Sequence, residues 1–591
     1  MAETLISPGI SLSEVDMSTV PQRPLVTGAA IIGPTVKGRI KIPTKVTSYA
    51  EYRQIFGDVF NTTENGLPTT QEFLTSIAAK NYFEQGGESL LVTRIADNIA
   101  FQPAKSTTVK AASGSTVPFA LETLSPGAMM NNAPTGSWSD SYEREDGSLI
   151  SGSVENIRWQ VLNVNNDNGT FTLVIRRGDD TDREQIVLES FNNVSLDPTS
   201  PNFISRVIGD QEEKFVNGSV QVVSGNYPNR SNFVRVSSVN SLLNYLDTDG
   251  NVRSVGGVSL SSSLPVEQSG GFWNGSGITG MCYSSSHEAL PSTEAKYFEN
   301  LGIETTDYNQ AVTLADYNDA IAVLSDADEY QFNVISAPGL LDADTVGTLV
   351  QMAENRTDCI AVVDLNTKNT EVQQVISRVT DAAINSSYGA TYWPWVQMVS
   401  ATGRYVWCPA STVIPGVYTY TDHQTAPWYA PAGMSRGGVY GVIQTSRKLA
   451  KADRDKLYAK NINPIATLPG AGIVVYGQKT LQKKASALDR INVRRMLIEV
   501  KDTIRKMAAG LLFEQNTTAL QNQFKTQVDP YLASIVQRKG LVAYKIDTSE
   551  NDNPDVVDRN EFRASITLQP GQVVEFIYLT FTVTATGVSF D

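Results

Sequence analysis

The stretch PTTQEFLTSIAAKNYFEQGGESLLVTRIA, residues 68–96, indicates the fold class of this chain. Residues 68–87 predict an amphipathic helix, because Phe73, Ile77 and Tyr82 lie near one face. SLLVTRIA predicts a strand directly after the helix, and VTGAAIIG at residues 26–33 predicts a buried strand before it. A strand, a helix and a strand in succession are the beginning of an α/β domain.

The same alternation of helices and strands returns near Thr313. CIAVVDL at residues 359–365 predicts a buried strand, and EVQQVISRVTDAAIN at residues 371–385 predicts a helix. We therefore expect residues 23–97 and 300–470 to form one α/β core domain that is split by the sequence between them.

That intervening sequence, residues 98–299, is rich in Ser, Gly, Asn and Thr and shows few helical periods. IRWQVLNV and TFTLVIRR flank the turn sequence NNDNG, and their alternating apolar residues predict a β-hairpin. We expect residues 98–299 to be a β-rich insertion of one or two domains, displayed on the outside of the molecule.

The last segment predicts an α+β domain at residues 471–571. Residues 489–514 form the strongest helical pattern in the chain. Its apolar stripe comprises Val493, Leu497, Val500, Ile504, Met507 and Leu511. A second helix is predicted at about 517–538, bent near Pro530, and GLVAYKID and FRASITLQ predict strands after it. The whole chain is thus expected to be an α/β and α+β multidomain protein.

Both ends of the chain predict extended arms, at residues 1–22 and 572–591. Prolines prevent a helix in the first arm, whose strand pattern consists of Ile10, Leu12 and Val15. The second arm has an alternating strand pattern of β-branched and aromatic residues, and Glu575 is its only acid before Asp591. Its predicted strand residues are Val574, Phe576, Tyr578, Thr580, Phe581 and Val583. An apolar strand at a chain end is an aggregation hazard unless its edges are paired. Donation of the strand to a neighbouring subunit would pair it, whereas packing on its own subunit is the alternative.

Composition excludes several classes of protein. Of 591 residues, 41% are hydrophobic and 18% are charged, which is typical of a globular protein of several domains. A net charge of −15 argues against general binding to nucleic acid. Neither a run of 18 apolar residues nor a secretory signal at the N-terminus is apparent, so we expect folding in a cytoplasm without insertion into a membrane.

Candidate sites for catalysis, metals and cofactors are weak, and we expect none. Cys282, Cys359 and Cys408 are widely spaced and predict reduced thiols, and His287 and His423 form no ligand pair. GSGITG at residues 275–280 lacks the strand and helix of a phosphate-binding loop, and DTDG at 247–250 lacks the spacing of a calcium loop. Both sequences are interpreted as turns.

Six blocks of sequence, in order, resemble contractile-tail sheath proteins. They are SPGISLSEVD, RPLVTGAAIIGPTVKG with SYAEYRQIFG, NYFEQGGESLLVTRIA, the segment from YWPWVQMVSATGRYVWCPAS to APWYAPAG, NINPIATLPGAGIVVYGQKTL, and INVRRMLIEVKDTI. The resemblance covers most of the chain outside the insertion, and within it FTLVIRRGDD and LESFNNVSLDP are similar to the outer domain of larger sheaths.

The resemblance implies a structural subunit without enzymatic activity or cofactor. Such subunits stack as hexameric rings in a helix around a tail tube, and a baseplate signal starts contraction. The C-terminal domain faces the tube, and its sheet accepts one arm from each of two neighbours. The implied partners are further copies of the chain, the tail tube protein, and baseplate and tail terminator proteins. The implied location is the virion tail, after assembly in the host cytoplasm.

A basic segment at residues 479–506 suggests where the tube binds. It carries nine basic and three acidic residues, a net charge of +6 in an acidic chain. The residues proposed to face the tube are Lys483, Lys484, Arg490, Arg494, Arg495, Lys501 and Arg505. Complementary charge would favour docking on an acidic tube. The alternative is a solvated helix face with pairs such as Asp502 and Lys506.

Two other functions remain open. The chain could be the sheath of a related contractile machine, such as a bacteriocin or a secretion system, although a long outer insertion favours a phage. It could also be a carbohydrate-binding tail adhesin or a hydrolase built on the β-rich insertion. Separately, a cluster of aromatic residues could form a sugar-binding platform. Those residues are Tyr392, Trp393, Trp395, Trp407 and Trp428, and core packing is the other interpretation of them.

Overall fold

A computed structural model describes much of the chain. The described residues are 28–64, 67–96, 101–131, 144–216, 218–276, 282–283, 308–309, 312–515, 517–548, 561–573 and 575. The first segment contains β1 (Ala29–Gly33), β2 (Thr44–Val46), α1 (Tyr49–Phe56), β3 (Val59–Glu64), β4 (Leu67–Glu72), α2 (Leu74–Glu84) and β5 (Leu90–Arg94).

A β-rich segment follows. Its elements are β6 (Pro103–Ser106), β7 (Phe119–Pro126), β8 (Ile157–Asn165), β9 (Thr170–Arg177), β10 (Val187–Ser195), α3 (Ile204–Ile208), β11 (Glu212–Val216), β12 (Ser219–Ser224), β13 (Val234–Val239), β14 (Ser254–Val255), β15 (Val258–Ser259), β16 (Gln268–Gly270) and β17 (Phe272–Trp273). Two short strands, β18 (Cys282–Tyr283) and β19 (Tyr308–Asn309), pair with each other.

The second half alternates helices and strands. It contains α4 (Leu314–Val323), β20 (Val334–Ser336), α5 (Ala343–Arg356), β21 (Ile360–Val363), α6 (Val372–Asp381), β22 (Gly389–Trp393), β23 (Val396–Val399), β24 (Tyr405–Cys408), α7 (Ile414–Gln424), β25 (Val442–Thr445), α8 (Lys451–Ala459), β26 (Ile462–Leu468) and β27 (Gly472–Val475). The C-terminal part contains α9 (Ile491–Ala509), α10 (Thr518–Gln537), β28 (Leu541–Asp547) and β29 (Ser565–Pro570).

One eight-stranded sheet organises the molecule, with the order β2-β5-β1-β20-β21-β22-β26-β27. The six strands from β5 to β26 in this order are parallel, and the outer strands β2 and β27 are antiparallel to their neighbours. β1 and β21 are buried along their whole length, as is typical of parallel strands covered on both faces. The sheet therefore joins strands from both sides of the β-rich segment.

The stretch at residues 68–96 differs from its prediction at one end. Residues 67–72 are not helical but form β4, which pairs with β3 in an antiparallel hairpin. Proline and β-branched threonines fit an extended backbone better than a helix interior, and β3 supplies the pairing. The helix itself, α2, begins only at Leu74, and the strand predicted after it is present as β5.

The β-rich segment has a hydrophobic core of its own. Two four-stranded sheets, β10-β9-β8-β16 and β13-β7-β6-β17, contribute to this core. The predicted hairpin is present as β8 and β9, and its alternating apolar residues are buried: Ile157, Trp159, Val161, Phe171, Leu173 and Ile175. The rings of Phe119 and Phe171 stack with centroids 5.5 Å apart, which links the two sheets.

A basic loop of the first segment fastens the β-rich segment to the rest of the molecule. The Lys37 ammonium lies 2.9 Å from the Glu155 carboxylate, and the Arg39 guanidinium lies 2.7 Å from Glu213. Both acids belong to the β-rich segment. Lys41 pairs with α4 instead. Its ammonium lies 2.7 Å from the carboxylate of Asp316 and 2.7 Å from that of Asp319.

The two C-terminal helices pack along the predicted apolar stripe of α9. Val493 and Val500 of α9 are buried against Phe524, Val528 and Leu532 of α10. The remaining stripe residues are partly buried in the same cluster. α10 continues through Pro530 as a single helix.

Candidate functional site

The basic residues of α9 fall into two groups that the sequence pattern does not distinguish. The apolar stripe faces α10, and part of the charged side of the helix packs against the α/β part of the molecule. Only some of the predicted surface cations are therefore on the surface.

Arg495 is buried, with 5% of its surface exposed. Its Nη2 atom lies 2.5 Å from a carboxylate oxygen of Asp422 on α7, and its guanidinium lies 4.5 Å from the ring centroid of Tyr418. The Tyr418 hydroxyl is hydrogen-bonded in turn to that of Tyr392 on β22, at 2.7 Å. Burial disfavours the charge of Arg495, but Asp422 overcomes this effect and raises the pKa of the guanidinium above its ordinary value.

Arg494 is buried in a similar way beside the start of β22. Its guanidinium stacks 4.0 Å from the ring centroid of Tyr388 and donates to the hydroxyl of Ser387. Burial lowers the pKa of Arg494 from its ordinary value. The prediction that Arg494 and Arg495 face a tube is wrong, because both side chains hold α9 against its own chain.

Arg490, at the N-terminal end of α9, is half-buried and occupied by ion pairs. It contacts Asp489 at 3.0 Å and Glu575 at 2.8 Å. Glu575 is the one residue of the predicted C-terminal arm beyond Val573 that the structure describes.

Lys483, Lys484, Lys501 and Arg505 are exposed. Three contacts place this group near the ends of the sheet strands at which β21 and β22 begin. The Lys483 amide donates to Asn385, the Lys501 ammonium lies 3.4 Å from the Tyr388 hydroxyl, and Arg505 lies 3.5 Å from the Thr357 hydroxyl. These three contacted residues lie in the loops that precede β21 and β22, which are parallel neighbours.

The other predicted arm residues lie outside the described part of the chain. They are Ile10, Leu12, Val15, Val574, Phe576, Tyr578, Thr580, Phe581 and Val583. Their pairing with neighbouring subunits remains a prediction.

The aromatic cluster is a packing feature. Tyr392, Trp393, Trp395 and Trp428 are buried, and Trp407 is half-buried with the Lys368 ammonium 5.1 Å from its ring. A sugar platform requires exposed ring faces, so the structure contradicts the carbohydrate-binding interpretation of these residues.

Other sequence candidates show structural roles or fall outside the description. Asp247 accepts backbone hydrogen bonds from Asp249 and Asn251, which makes DTDG a turn. Cys359 and Cys408 are buried free thiols, and burial raises their pKa values. The described residues do not include His287 or residues 277–280, and they do not include the side chain of Cys282. Among the described residues, no cluster of His, Cys, Asp and Glu could hold a metal ion.

No helix within the described ranges is both long and apolar enough to cross a membrane.

Several buried carboxylates were not found from the sequence, and Glu72 is the least exposed of them. Glu72, at the end of β4, is 1% exposed, and one of its oxygens accepts a hydrogen bond of 2.8 Å from the Ala401 amide. Burial raises its pKa to about 7; the charge of Asp58 adds to the shift, while the Ala401 hydrogen bond and Lys80 oppose it. A lone acid in a threonine-rich strand carries no periodic signal of burial, so sequence reasoning would place it on the surface.

Two family models match the second half of the chain. The model of the phage tail sheath protein central domain matches residues 310–481, and that of the phage tail sheath C-terminal domain matches residues 483–584. The tail sheath proteins of Vibrio phage KVP40 and Enterobacteria phage T4 are 41% and 38% identical to this chain over 185 and 187 residues. Each match covers 31% of this chain and 28% of the relative, so it spans less than a third of either relative's length.

A solved structure shares the fold over a longer range. The crystal structure of a sheath tail protein from Listeria innocua matches 92% of this chain and 95% of its own, with a TM-score of 0.51 and 10% identity. At this identity the match indicates a shared fold alone.

Reversing the charge of Arg495 should destabilise the fold. Arg495→Glu leaves Asp422 without its partner and places a second acid beside it, so the free energy of unfolding should fall by roughly 3–5 kcal/mol. Urea unfolding followed by circular dichroism measures the change. Lys501→Glu, an equal charge change on the exposed side of the same helix, should alter it by less than about 0.5 kcal/mol. Equal stability of both variants would contradict the buried role of Arg495.

Glu72 should make stability depend on pH. Its pKa rises from 4.5 to about 7 on folding, so its stabilising contribution is full below about pH 4.5 and is lost as the pH rises through about 7. Glu72→Gln stays neutral and can keep the Ala401 hydrogen bond. It should therefore be more stable than the parent at pH 8 by about 2–3 kcal/mol, and equally stable at pH 4.

Urea unfolding midpoints at the two pH values test this dependence. Glu84→Gln, at an exposed position on α2, should show no difference from the parent at either pH. A Glu72→Gln variant that is less stable than the parent at pH 8 would show that the carboxylate is charged and stabilising there.

Proposed function

The chain belongs to the contractile-tail sheath family, and we propose that it is the structural subunit of a contractile bacteriophage tail sheath. In this proposal the subunits stack as hexameric rings in a helix around the tail tube. A baseplate signal triggers contraction, which drives the tube through the host envelope. The energy comes from better burial in the contracted lattice and not from a chemical reaction.

The observation that carries this proposal is the order of the two sheath domains on one continuous stretch. Residues 310–584 match the central and then the C-terminal sheath domain. Relatives with identities of 41% and 38% are both phage tail sheath proteins, which favours a phage over another contractile machine. The separate core of the β-rich segment fits an outer domain on such a subunit.

The C-terminal sheet offers a place for donated arms. β28 and β29 pair with each other, and within the described residues no third strand joins them. A two-stranded sheet is marginal alone, and the edge of a strand is a template for pairing with another strand. Val542 on β28 is 59% exposed, so an added strand would also cover apolar surface. We propose that the arms at residues 1–22 and 572–591 complete this sheet in neighbouring subunits.

The exposed basic group is the proposed tube contact. Lys483, Lys484, Lys501 and Arg505 lie near the N-terminal ends of β21 and β22. Acids lie there too: Glu354 contacts Ser386, and Asp358 and Asp502 line a cavity together with Arg505. Contacts of exposed charges are weak and screened by salt, so they would permit docking on an acidic tube and release during contraction. The partners proposed beyond the tube are the baseplate and the tail terminator, and assembly would take place in the host cytoplasm.

Removing the first arm should abolish polymerisation. In this proposal the arm acts between subunits, so a protein lacking residues 1–20 should remain a folded, soluble monomer. Electron microscopy should show hollow tubes of the full chain and none of the truncated chain at the same concentration. Tubes formed by the truncated protein would show that this arm is not an essential link.

Reversing two exposed lysines should impair docking on the tube. Lys483→Glu with Lys484→Glu should reduce the fraction of purified tail tubes that acquire a sheath, most strongly at low salt. The melting temperature should stay unchanged because both side chains are exposed. Lys105→Glu with Lys110→Glu makes the same charge change on the β-rich segment and should leave docking intact. Equal docking by both double variants would contradict the proposed tube surface.

A further inference from the structure

Glu575 is chemically isolated in its sequence. Between Arg563 and Asp591 it is the only residue with a full charge, in a run of alternating apolar and β-branched residues. A single acid in such a strand either faces water or has a partner that holds it.

The structure provides that partner. The Glu575 carboxylate accepts one hydrogen bond each from Gln478, Arg490 and Tyr458, and it makes a second, ionic contact with Arg490. The first oxygen lies 2.8 Å from Arg490 Nε and 2.9 Å from Gln478 Nε2. The second lies 3.0 Å from Arg490 Nη2 and 3.0 Å from the Tyr458 hydroxyl. The Glu575 side chain is 16% exposed, so this bidentate pair is largely withdrawn from water.

The donors come from three places in the fold. Tyr458 lies on α8, Gln478 follows β27, and Arg490 caps the N-terminal end of α9. Burial and the neighbouring Glu575 raise the pKa of Tyr458 above its ordinary value, so its hydroxyl keeps its proton and can donate. Lys479 reinforces the site, with its ammonium 4.5 Å from the Tyr458 ring centroid. The site is thus built on ordered elements and not on a single loop.

We propose that Glu575 is the anchor that fixes where the C-terminal arm leaves its own subunit, and hence the register and reach of the donated strand. This inference rests on the proposed donation of the arm. A strand of uniform apolar alternation specifies its register weakly, because a slip by two residues keeps the same faces inward. A slip that moves Glu575 out of this site removes a carboxylate from four donors and leaves Arg490 half-buried without it.

The anchor sets where tension on the arm enters the subunit. A pull on the arm reaches Arg490 at the start of α9 before it reaches β29, whose pairing with β28 could otherwise be peeled apart from Pro570.

The test compares polymerisation of full-length variants. Glu575→Gln removes the charge and should raise the critical concentration for tube formation about tenfold, as expected for loss of a charge-assisted pair. Arg490→Gln should act similarly, and the double variant should be no worse than either single change. Glu561→Gln, which removes an acid from an exposed pair with Arg563, should polymerise like the parent.

Two further measurements separate this inference from its premise. A chain ending at Glu575 lacks the free arm and should form no tubes; tubes from it would overturn arm donation itself and the anchor with it. If that truncation fails to polymerise while Glu575→Gln polymerises at the parent's concentration, donation stands and the anchor is wrong.

Folding is followed by the melting temperature of the monomer. It should change by no more than about 2 °C in Glu575→Gln, since the effect of the anchor is felt in the polymer. The milder Glu575→Asp keeps the charge but shortens the side chain, and it should raise the critical concentration less than Glu575→Gln. A drop in melting temperature that matches the loss of polymer in both variants would overturn the anchor in favour of a general role in stability.

Discussion

The pairing of β1 with β20 is the constraint on which the rest of the structure depends. Ala29, Ala30 and Ile31 pair in parallel with Val334, Ile335 and Ser336, about 300 positions away in the chain. Both strands are fully buried, so the apolar surface they remove from water offsets the cost of closing a very long loop. Any segment between them must leave and return at the centre of one sheet.

This constraint explains how the β-rich segment is attached. The segment has a core of its own, and its attachment to the basic loop is both ionic and apolar, because Ile40 of that loop packs with Phe101 in a small buried cluster. Lys37 and Arg39 each pair with an acid of that segment, while Lys41 of the same loop pairs with α4. The loop therefore contacts both the β-rich segment and α4.

The sequence predicts those helices and strands that follow from the spacing of apolar residues. It misses elements that form only because they pair with another strand. The buried strand at residues 359–365, the hairpin of β8 and β9, and the stripe of α9 all follow from apolar spacing and are present. β4 was predicted as helix because its partner β3 is not visible in a single window of sequence. The boundaries of the domains themselves stay predictions.

Arg494 and Arg495 show why the candidate site was harder to predict than the fold. Amphipathic reasoning assigns every charged residue of a helix to its solvent face. A guanidinium can instead be buried when an aromatic ring covers its face and an acid or hydroxyl takes its donors, as Tyr418 and Asp422 do for Arg495. Those partners lie more than 70 positions away, so no local pattern reveals them. Glu575 did leave a signal, since a single charge in an apolar strand either faces water or has a partner.

Three arginines of one helix connect the proposed arm to the central sheet. Arg490 holds Glu575, and Arg494 stacks on Tyr388 directly before β22. Arg495 contacts Tyr418 on α7, whose hydroxyl is hydrogen-bonded to that of Tyr392 on β22. β22 lies between β21 and β26 in the eight-stranded sheet. A load carried by the arm would thus pass through a single rigid helix into a parallel sheet, whose strands separate only when many hydrogen bonds break together.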